Sequence, residues 1–350
     1  MNLLDIRNAK LEGKRVLMRV DFNVPVKDGK IGERHRIKAA KETIDFVLSQ
    51  KDVGVALLSH LGRPKDREEE FSFRNFYKEI GQILGHDMVF VDDCLGEKVK
   101  NAMGVLKTGQ ILMLENVRFF GPEENSGGKL AEELAANFDV FVNEAFGACH
   151  RNHASVVGVA GILPSFAGIN LQKEVAELDR VGKIFEKPAL AIIGGVKAET
   201  KLPVINFFAE KYDNVLVGGK IGLDAGKQII SFPLNVVLPR DYAEGGLDIG
   251  PETIKRYAGY IKRARTIVWN GPLGKFEQSR FVKGTEAVIT EVVKNKEAYK
   301  VAGGGESVQF LEEYGLMEEF DFVSTGGGAM LDFLIKGTLP GLEALQSCTI

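Results

Sequence analysis

Arg63 in SHLGRP, Arg118 in LENVRF and Arg151 in GACHRNH each stand just beyond a short apolar run, and Arg36 follows RVDFNVP at a longer interval. A guanidinium presents forked donors that match phosphate or carboxylate oxygens two at a time, so several converging on one crevice would bind a doubly anionic small molecule. Any one of them alone reads more simply as a surface ion pair. Their repetition beyond successive runs is what argues for a shared anion site. His60 and His150 stand beside Arg63 and Arg151. No His/Cys spacing here resembles a zinc site, and His60 is suited to donate an imidazole N–H to phosphate.

The second half carries glycines where the first carries charges: Gly194 and Gly195, Gly218 and Gly219, Gly271 and Gly274, Gly303 to Gly305, Gly326 to Gly328. A phosphate or a purine packs against main chain only where no Cβ intervenes, and glycines leading into helix amino termini expose N–H groups to anions. The pattern is not a P-loop, because Asn214, Ile221 and Trp269 occupy the first-glycine positions that Lys220, Lys227 and Lys275 would require. No clean GxGxxG opens a helix either. Lys197 and Lys201, four apart after a glycine pair, would lie on one helix face, a costly arrangement unless an anion sits between them. Glu277 follows a glycine turn, and Glu306 and Ser307 stand at an expected helix start. One carboxylate suits a ribose hydroxyl and another the magnesium ion that accompanies a nucleotide, although Glu306 also fits a first-turn charge favoured by the helix dipole.

The elements that must position these groups are apolar runs bounded by Gly, Asn, Asp or Pro: RVLMRVDF, VGVALLSH, MVFV, QILMLENV and VFVNEAF, then ALAIIGG, NVLVGG, TIVWNG, YKVAGGG and FVSTGGG. Helix-periodic segments such as RIKAAKETIDFVLSQ, KLAEELAANF, KLPVINFFAEKY and SVQFLEEYGL lie between them. That alternation predicts α/β architecture, two doubly wound parallel-sheet domains with ligands beyond the carboxyl ends of the strands. Leu171, Val175, Leu178 and Val181 are spaced as one face of a helix over 171–185, which is where the domain boundary is placed.

A chain of 350 residues, 45% hydrophobic and 27% charged, is long enough for two cores. A net charge of −3 argues against a generally basic nucleic-acid-binding surface. Cys94, Cys149 and Cys348 are too few and scattered for a disulfide framework or a four-thiolate metal site, and read as free thiols in a reducing compartment. The amino terminus lacks the pattern of a signal or transit peptide, and no run approaches a membrane span, so a cytoplasmic protein is expected.

Nine segments, RVDFNVP, SHLGRPK, LMLENVRF, NEAFGACHRNHAS, GGVKAETK, GLDIGP, VWNGPLGKFE, GGGES and VSTGGGA, occur in an order that closely resembles the phosphoglycerate kinase family over nearly the whole chain. The resemblance implies a 3-phosphoglycerate-binding domain at 1–170, a nucleotide-binding domain at 171–335 that begins with the interdomain helix, and a tail at 336–350 returning to the first domain. It implies that Asp21 and Asn23 bind the hydroxyl and carboxylate end of glycerate, that Arg36 bridges that carboxyl and the moving phosphoryl group, and that His60, Arg63, Arg118 and Arg151 grip the 3-phosphate. Lys197 would follow the phosphoryl group and Lys201 would hold nucleotide phosphates. Glu277 would bind ribose, Gly195, Gly218, Gly219 and Gly271 would line the adenine slot, and Gly303, Gly304, Gly305, Ser307 and Gly326 to Gly328 would surround the phosphates. Arg36, Lys197, Gly305 and Gly328 are the catalytic set so implied, with ATP or ADP as substrate, Mg2+ at Glu306, a monomeric state, closure about 171–185, and neither nucleic acid nor membrane as partner.

The chain departs from the family pattern in four places. Glu306 stands where the family ordinarily has the aspartate that binds magnesium. The stretch between Gly219 and Gly246 is much shorter than the family's. Lys220 replaces a glycine, and Lys275 an apolar residue. The alternative reading these departures leave is a catalytically weak relative with a binding or regulatory role.

Overall fold

The structure is a computed structural model that describes residues 3–121, 123–124, 128–195, 198–227 and 232–346. Contacts divide it into a first unit, running to Ala176 and resuming at Thr338, and a second unit, Glu177–Gly337. The first unit opens with β1 (Arg15–Arg19), turns through a hairpin of β2 (Val26–Lys27) and β3 (Lys30–Ile31), and continues through β4 (Gly54–Leu58), β5 (Met88–Phe90), β6 (Ile111–Met113), β7 (Val140–Asn143) and β8 (Ser165–Ala167). Outside the hairpin these strands form one parallel sheet in the order β5-β6-β4-β1-β7-β8. Parallel strands are covered on both faces, which is why β1, β4 and β6 read as near-continuous apolar runs. Helices α1 (His35–Ala39), α2 (Lys41–Leu48) and α3 (Tyr77–Leu84) lay Ile37, Ile44, Ile80 and Leu84 onto the core built by Val16, Met18, Val55 and Val142. The shell continues with α4 (Gly96–Gly104) and α5 (Lys129–Ala135).

The sequence places a helix over 171–185, and α6 (Ile169–Lys183) is that helix, with Leu171, Val175, Leu178 and Val181 all buried. The division between the units falls within it. Its amino terminus is held by Glu144, which follows β7 and accepts from the Asn170 and Leu171 amides at 3.0 Å each and from the Thr43 hydroxyl. Complete burial pushes the Glu144 carboxyl up to about 8, against those three donors, and the nearby Glu174 charge acts in the same direction as burial. Glu115 is likewise spent on structure, accepting from Ser72 and from the Phe73 and Asn116 amides.

The second unit contains β9 (Ala189–Ile193), β10 (Asn214–Val217), β11 (Val236–Val237), β12 (Thr266–Asn270), β13 (Tyr299–Gly303) and β14 (Phe322–Ser324), all parallel in the order β11-β10-β9-β12-β13-β14. The order reverses between β9 and β12, so the crevice beyond Ile193 and Asn270 is the switch point where a doubly wound sheet receives its ligand. Around it lie α7 (Ala198–Lys211), α8 (Gly219–Lys227), α9 (Pro251–Ile261), α10 (Lys283–Lys294), α11 (Gly305–Glu313) and α12 (Gly328–Lys336). The core centres on Trp269, fully buried with Phe310 edge-on at 5.7 Å, and on Tyr257, whose hydroxyl donates to the Val237 carbonyl at 2.9 Å. A last helix, α13 (Pro340–Gln346), belongs to the first unit and ties its Gly341 amide to the Cys149 carbonyl at 2.9 Å.

Candidate functional site

In the first unit the segment leaving β1 brings Asp21 and Asn23 to the strand tips, and α1 supplies Arg36. The Arg36 guanidinium donates to the Asn23 carbonyl at 2.8 Å and stands 3.9 Å from Asp21 Oδ2 and 3.4 Å from Glu33 Oε1. Burial opposes its charge, but Asp21, Glu33 and Glu174 outweigh that and hold its pKa above the ordinary value. The cation is therefore permanent and already oriented. Asn23 Oδ1 accepts from the Gly62 amide at 2.8 Å, and the Gly62 carbonyl accepts from Arg118 Nη1, so one residue joins the Asp21–Asn23–Arg36 group to Arg118. Gly62 has φ +64°, and a Cβ there would run into the Phe71 ring. Gly62→Ala is accordingly expected to cost about 2 to 3 kcal/mol of stability, measured as a lowered urea midpoint, with weaker anion binding alongside.

Beyond Gly62 opens a cavity of about 960 Å³ lined by Arg63, Lys65, Arg118, His150, Arg151 and His153 together with Glu123 and Glu124. Arg118 is lowered to about 10, first by burial and then by the charges of Arg151 and Arg19. Its buried Nε has no hydrogen-bond partner among the described residues. Arg118 thus carries an unspent donor and is repelled by two other guanidinium groups, an arrangement that a bound anion would relieve.

Arg19 was not among the expected site residues. It is the last residue of β1 and is wholly buried, donating through Nε to Ser155 Oγ at 2.9 Å and through Nη1 to the Val20 carbonyl. Its Nη2 lies 3.1 Å from His60 Nδ1. Arginine has only donors, so His60 Nδ1 must accept and the ring proton resides on Nε2. That Nε2 is buried and has no partner among the described residues. Burial, then Arg19, Arg118 and Arg151, hold His60 well below the ordinary histidine range, so the ring is a neutral N–H donor. Glu123 supplies the counter-charge, accepting from the Ser155 hydroxyl and amide with His153 Nδ1 3.5 Å away. Burial works against its ionisation, but His153 and Arg19 outweigh it and keep the carboxyl below its ordinary range. The available signal was an arginine inside the otherwise apolar run RVLMRVDF.

The second unit offers a narrower slot of about 390 Å³. Gly195, Gly219, Gly245 and Gly246 give it a main-chain floor, Leu223, Leu247 and Pro272 give apolar walls, and Lys220, Lys275, Glu277 and Glu306 line the rest. Gly195 has φ +114°, and a Cβ there would sit 3.8 Å from Lys201 Cε and 3.9 Å from Glu306 Oε2, which places those two groups beside Gly195. Gly218 and Gly271 do not line it. A Cβ on Gly218 would strike Leu273 and one on Gly271 would strike Gly194, so these glycines let the tips of β9, β10 and β12 pack together.

Lys201, on α7, donates to Asn270 Oδ1, and burial lowers it to about 8 despite the opposing charge of Glu306. Glu306, in the first turn of α11, is raised by burial and by Glu277 and held down by Lys201. Gly303 ends β13, Gly304 caps α11 with φ +99°, Gly305 begins α11 and Gly328 begins α12, so two helix amino termini follow glycine turns. The Ser307 hydroxyl is buried and accepts from the Gly271 amide at 2.7 Å, a structural use. Lys197 lies outside the described residues. Among the described residues no three His, Cys, Asp or Glu side chains gather as a metal cage. Magnesium carried by a nucleotide needs only one or two protein carboxylates, and Glu306, exposed in the first turn of α11, is a carboxylate available for that.

A doubly wound pair of parallel sheets, one presenting guanidinium groups and the other glycine turns and helix amino termini, defines an α/β phosphotransferase. The family model for phosphoglycerate kinase matches residues 6–225 and 235–337. The phosphoglycerate kinase structure from Coxiella burnetii is 33% identical at a TM-score of 0.81, covering 99% of this chain and 99% of that one. The structure from Pyrococcus horikoshii OT3 is 29% identical at a TM-score of 0.87, covering 98% of each. The chain belongs to the phosphoglycerate kinase family. Residues 226–234 fall outside the matched ranges, within the stretch read as shortened. No described helix is long and apolar enough to cross a membrane.

Proposed function

We propose that the chain catalyses reversible, magnesium-dependent phosphoryl transfer from 1,3-bisphosphoglycerate to ADP, giving 3-phosphoglycerate and ATP, as a cytoplasmic monomer in glycolysis and gluconeogenesis. The observation that carries this reading is the mutually repelling Arg19, Arg118 and Arg151 cluster, with unspent donors on Arg118 and His60. A cluster so arranged is stabilised by a phosphate dianion.

In this reading His60, Arg63, Arg118 and Arg151 hold the 3-phosphate, Asp21 and Asn23 the glycerate hydroxyl and carboxyl end, and Arg36 the reacting carboxyl. The slot holds ADP, with Glu277 on ribose and with Lys201, Lys197 and the amino termini of α11 and α12 toward the phosphates. Glu306 would hold magnesium, which supplies charge neutralisation on the nucleotide phosphates when bound. Transfer of this kind depends on positioning and on neutralising charge on the moving group. The acceptor oxygens are already anionic, so no general base or covalent nucleophile is required. Movement about α6 is the expected way for the two ligands to meet and exclude water.

A coupled spectrophotometric assay with 3-phosphoglycerate and MgATP tests the reaction directly, and turnover indistinguishable from the uncatalysed rate would end this reading. Arg118→Ala should raise KM for 3-phosphoglycerate by about tenfold or more with a smaller change in kcat, since it removes contacts made equally in ground and transition states. The pH dependence of ADP binding follows from Lys201. Its pKa in the free protein is lowered to about 8, and bound phosphates favour the ammonium form, so binding takes up a proton above that pH. ADP affinity should be flat below about pH 8 and fall by up to about tenfold per unit above it. Calorimetry in buffers of different ionisation enthalpy reads the proton uptake, and zero uptake at pH 9 would remove Lys201 from the phosphate site.

A further inference from the structure

Part of the slot of the second unit is the tip of a hairpin. The Ala243 amide donates to the Asp248 carbonyl and the Gly246 amide to the Ala243 carbonyl, each at 2.9 Å, and Gly245, Gly246 and Leu247 between them line the slot. Little burial holds that tip, since Glu244, Gly245 and Leu247 are exposed. The residue that closes it is the opposite case, for Asp248 is 2% exposed. Its Oδ1 accepts from the Ile249 amide at 2.9 Å, and its Oδ2 accepts from the Gly284 amide, in the first turn of α10, at 2.7 Å. The residue preceding α10, Val282, makes no side-chain cap, so Asp248 supplies that cap from elsewhere in the chain. Room is kept for it on two sides: a Cβ on Gly274 or on Gly284 would run into Asp248 Oδ1. Burial raises the carboxyl above its ordinary value and the Gly284 and Ile249 amides act against that, so the ionised form depends on both amides staying in place.

The same turn of α10 holds a second stretch of the slot. Thr285 Oγ1 accepts from the Leu273 amide at 3.0 Å, and the Leu273 carbonyl accepts from the Gly219 amide at 2.8 Å. Pro272, Gly274 and Lys275 line the slot, as Gly219 does, and the Lys275 amide donates to the Leu247 carbonyl at 2.8 Å. Consecutive residues of one helix, Gly284 and Thr285, therefore fix both the hairpin tip and the 272–275 stretch.

We propose that Asp248 is a positioning residue for the nucleotide: by capping α10 it sets the Gly245–Leu247 tip where bound ADP needs it, without touching the ligand. The proposal rests on the nucleotide reading above. Asp248 is not among the residues that line the slot. A tip left unfixed in the free protein has to be ordered by the ligand, and that ordering is subtracted from affinity. The effect of losing the cap should fall on ADP and spare 3-phosphoglycerate, which is assigned to the other unit. Asp248→Asn keeps the shape but turns an amino group toward one of the two backbone N–H groups, where donor meets donor.

The test is calorimetric titration of the full chain with MgADP and, separately, with 3-phosphoglycerate, for the unaltered protein, Asp248→Asn, Gly284→Ala and Asp213→Asn. Gly284→Ala displaces the carboxylate from the α10 side, and Gly284 does not line the slot. Asp213→Asn is the matched control, since Asp213 accepts from the Ala189 amide at 2.7 Å where β9 begins, away from the carboxyl ends of the strands. The ADP dissociation constant is expected to rise about tenfold in Asp248→Asn and in Gly284→Ala, the equivalent of about one lost hydrogen bond. The 3-phosphoglycerate constant should stay within about twofold throughout, and Asp213→Asn should lower the urea midpoint with ADP affinity unmoved. A lowered urea midpoint in Asp248→Asn with unchanged ADP affinity would make the carboxylate a helix cap and nothing more, overturning the proposal and leaving the nucleotide reading standing. An Asp248→Asn chain that does not fold also counts against it, because the carboxylate is then a requirement of the fold. Absence of saturable ADP binding by the unaltered protein overturns the nucleotide reading, and the proposal with it.

Discussion

Arg36→Ala should lower kcat by roughly three orders of magnitude, the scale on which a cation placed on a moving phosphoryl group contributes, while ADP binding changes by less than about threefold. The expectation rests on how Arg36 is already held. Its carbonyl contact with Asn23 and its ion pairs with Asp21 and Glu33 fix the fork before any ligand arrives, so reorganisation at the moment of transfer is small. ADP is assigned to the other unit, so its dissociation constant should be insensitive to the change. Arg36→Lys is the informative partner variant, because it keeps the charge and loses the fork and should recover only part of kcat. Steady-state turnover and ADP calorimetry on the same preparations check both claims, with circular dichroism confirming folded protein. A kcat within about fivefold of the unaltered enzyme would place the moving group elsewhere.

The strands legible in the sequence were those buried on both faces, because complete burial writes an unbroken apolar run. RVLMRVDF contains β1, VGVALLSH contains β4 and TIVWNG contains β12. Ser165–Ala167 and Val236–Val237 are strands of three and two residues whose pairing is set by the neighbouring strand, and nothing local marks them. The hairpin of β2 and β3 did carry a mark that went unread: Asp28 and Gly29 both have positive φ, the tight-turn pair that joins two short strands. In the site, Arg63, Arg118 and Arg151 were legible through repetition beyond strand ends. Arg19 was not, because at the end of an apolar strand it looks like a boundary charge, and only the fold shows it pointing at His60 and Ser155 beneath the cavity. Glycines divide in the same way. Gly195 lines the slot, Gly218 and Gly271 serve close packing of the strand tips, and Gly219 does both, lining the slot while its Cα packs against the Gly195 backbone, and composition alone cannot separate these uses.

Arg19→Met is expected to be the most destabilising single change among these residues, by about 3 to 5 kcal/mol. The substitution fits the volume but removes the donors to Ser155 Oγ, the Val20 carbonyl and His60 Nδ1, and leaves the Glu123 carboxylate buried without the Arg19 counter-charge, with His153 Nδ1 3.5 Å away. Leaving one buried partner uncompensated costs more than replacing both, so Arg19→Met/Glu123→Gln should be less destabilised than the sum of the two single changes, by about 1 to 3 kcal/mol. Urea unfolding followed by circular dichroism measures these differences. Fluorescence of Trp269, the chain's one tryptophan, reports on the second unit, where a smaller shift is expected. Ligand binding should change in a second way. Without Arg19 the His60 ring is free to move its proton to Nδ1, so the fixed Nε2 donor is lost and the 3-phosphoglycerate KM rises even in protein that remains folded. If Arg19→Met unfolds at the same urea concentration as the unaltered chain, the buried guanidinium is not the keystone of the anion site, and the repulsion among Arg118, Arg151 and Arg19 would have to be relieved by groups other than Glu123.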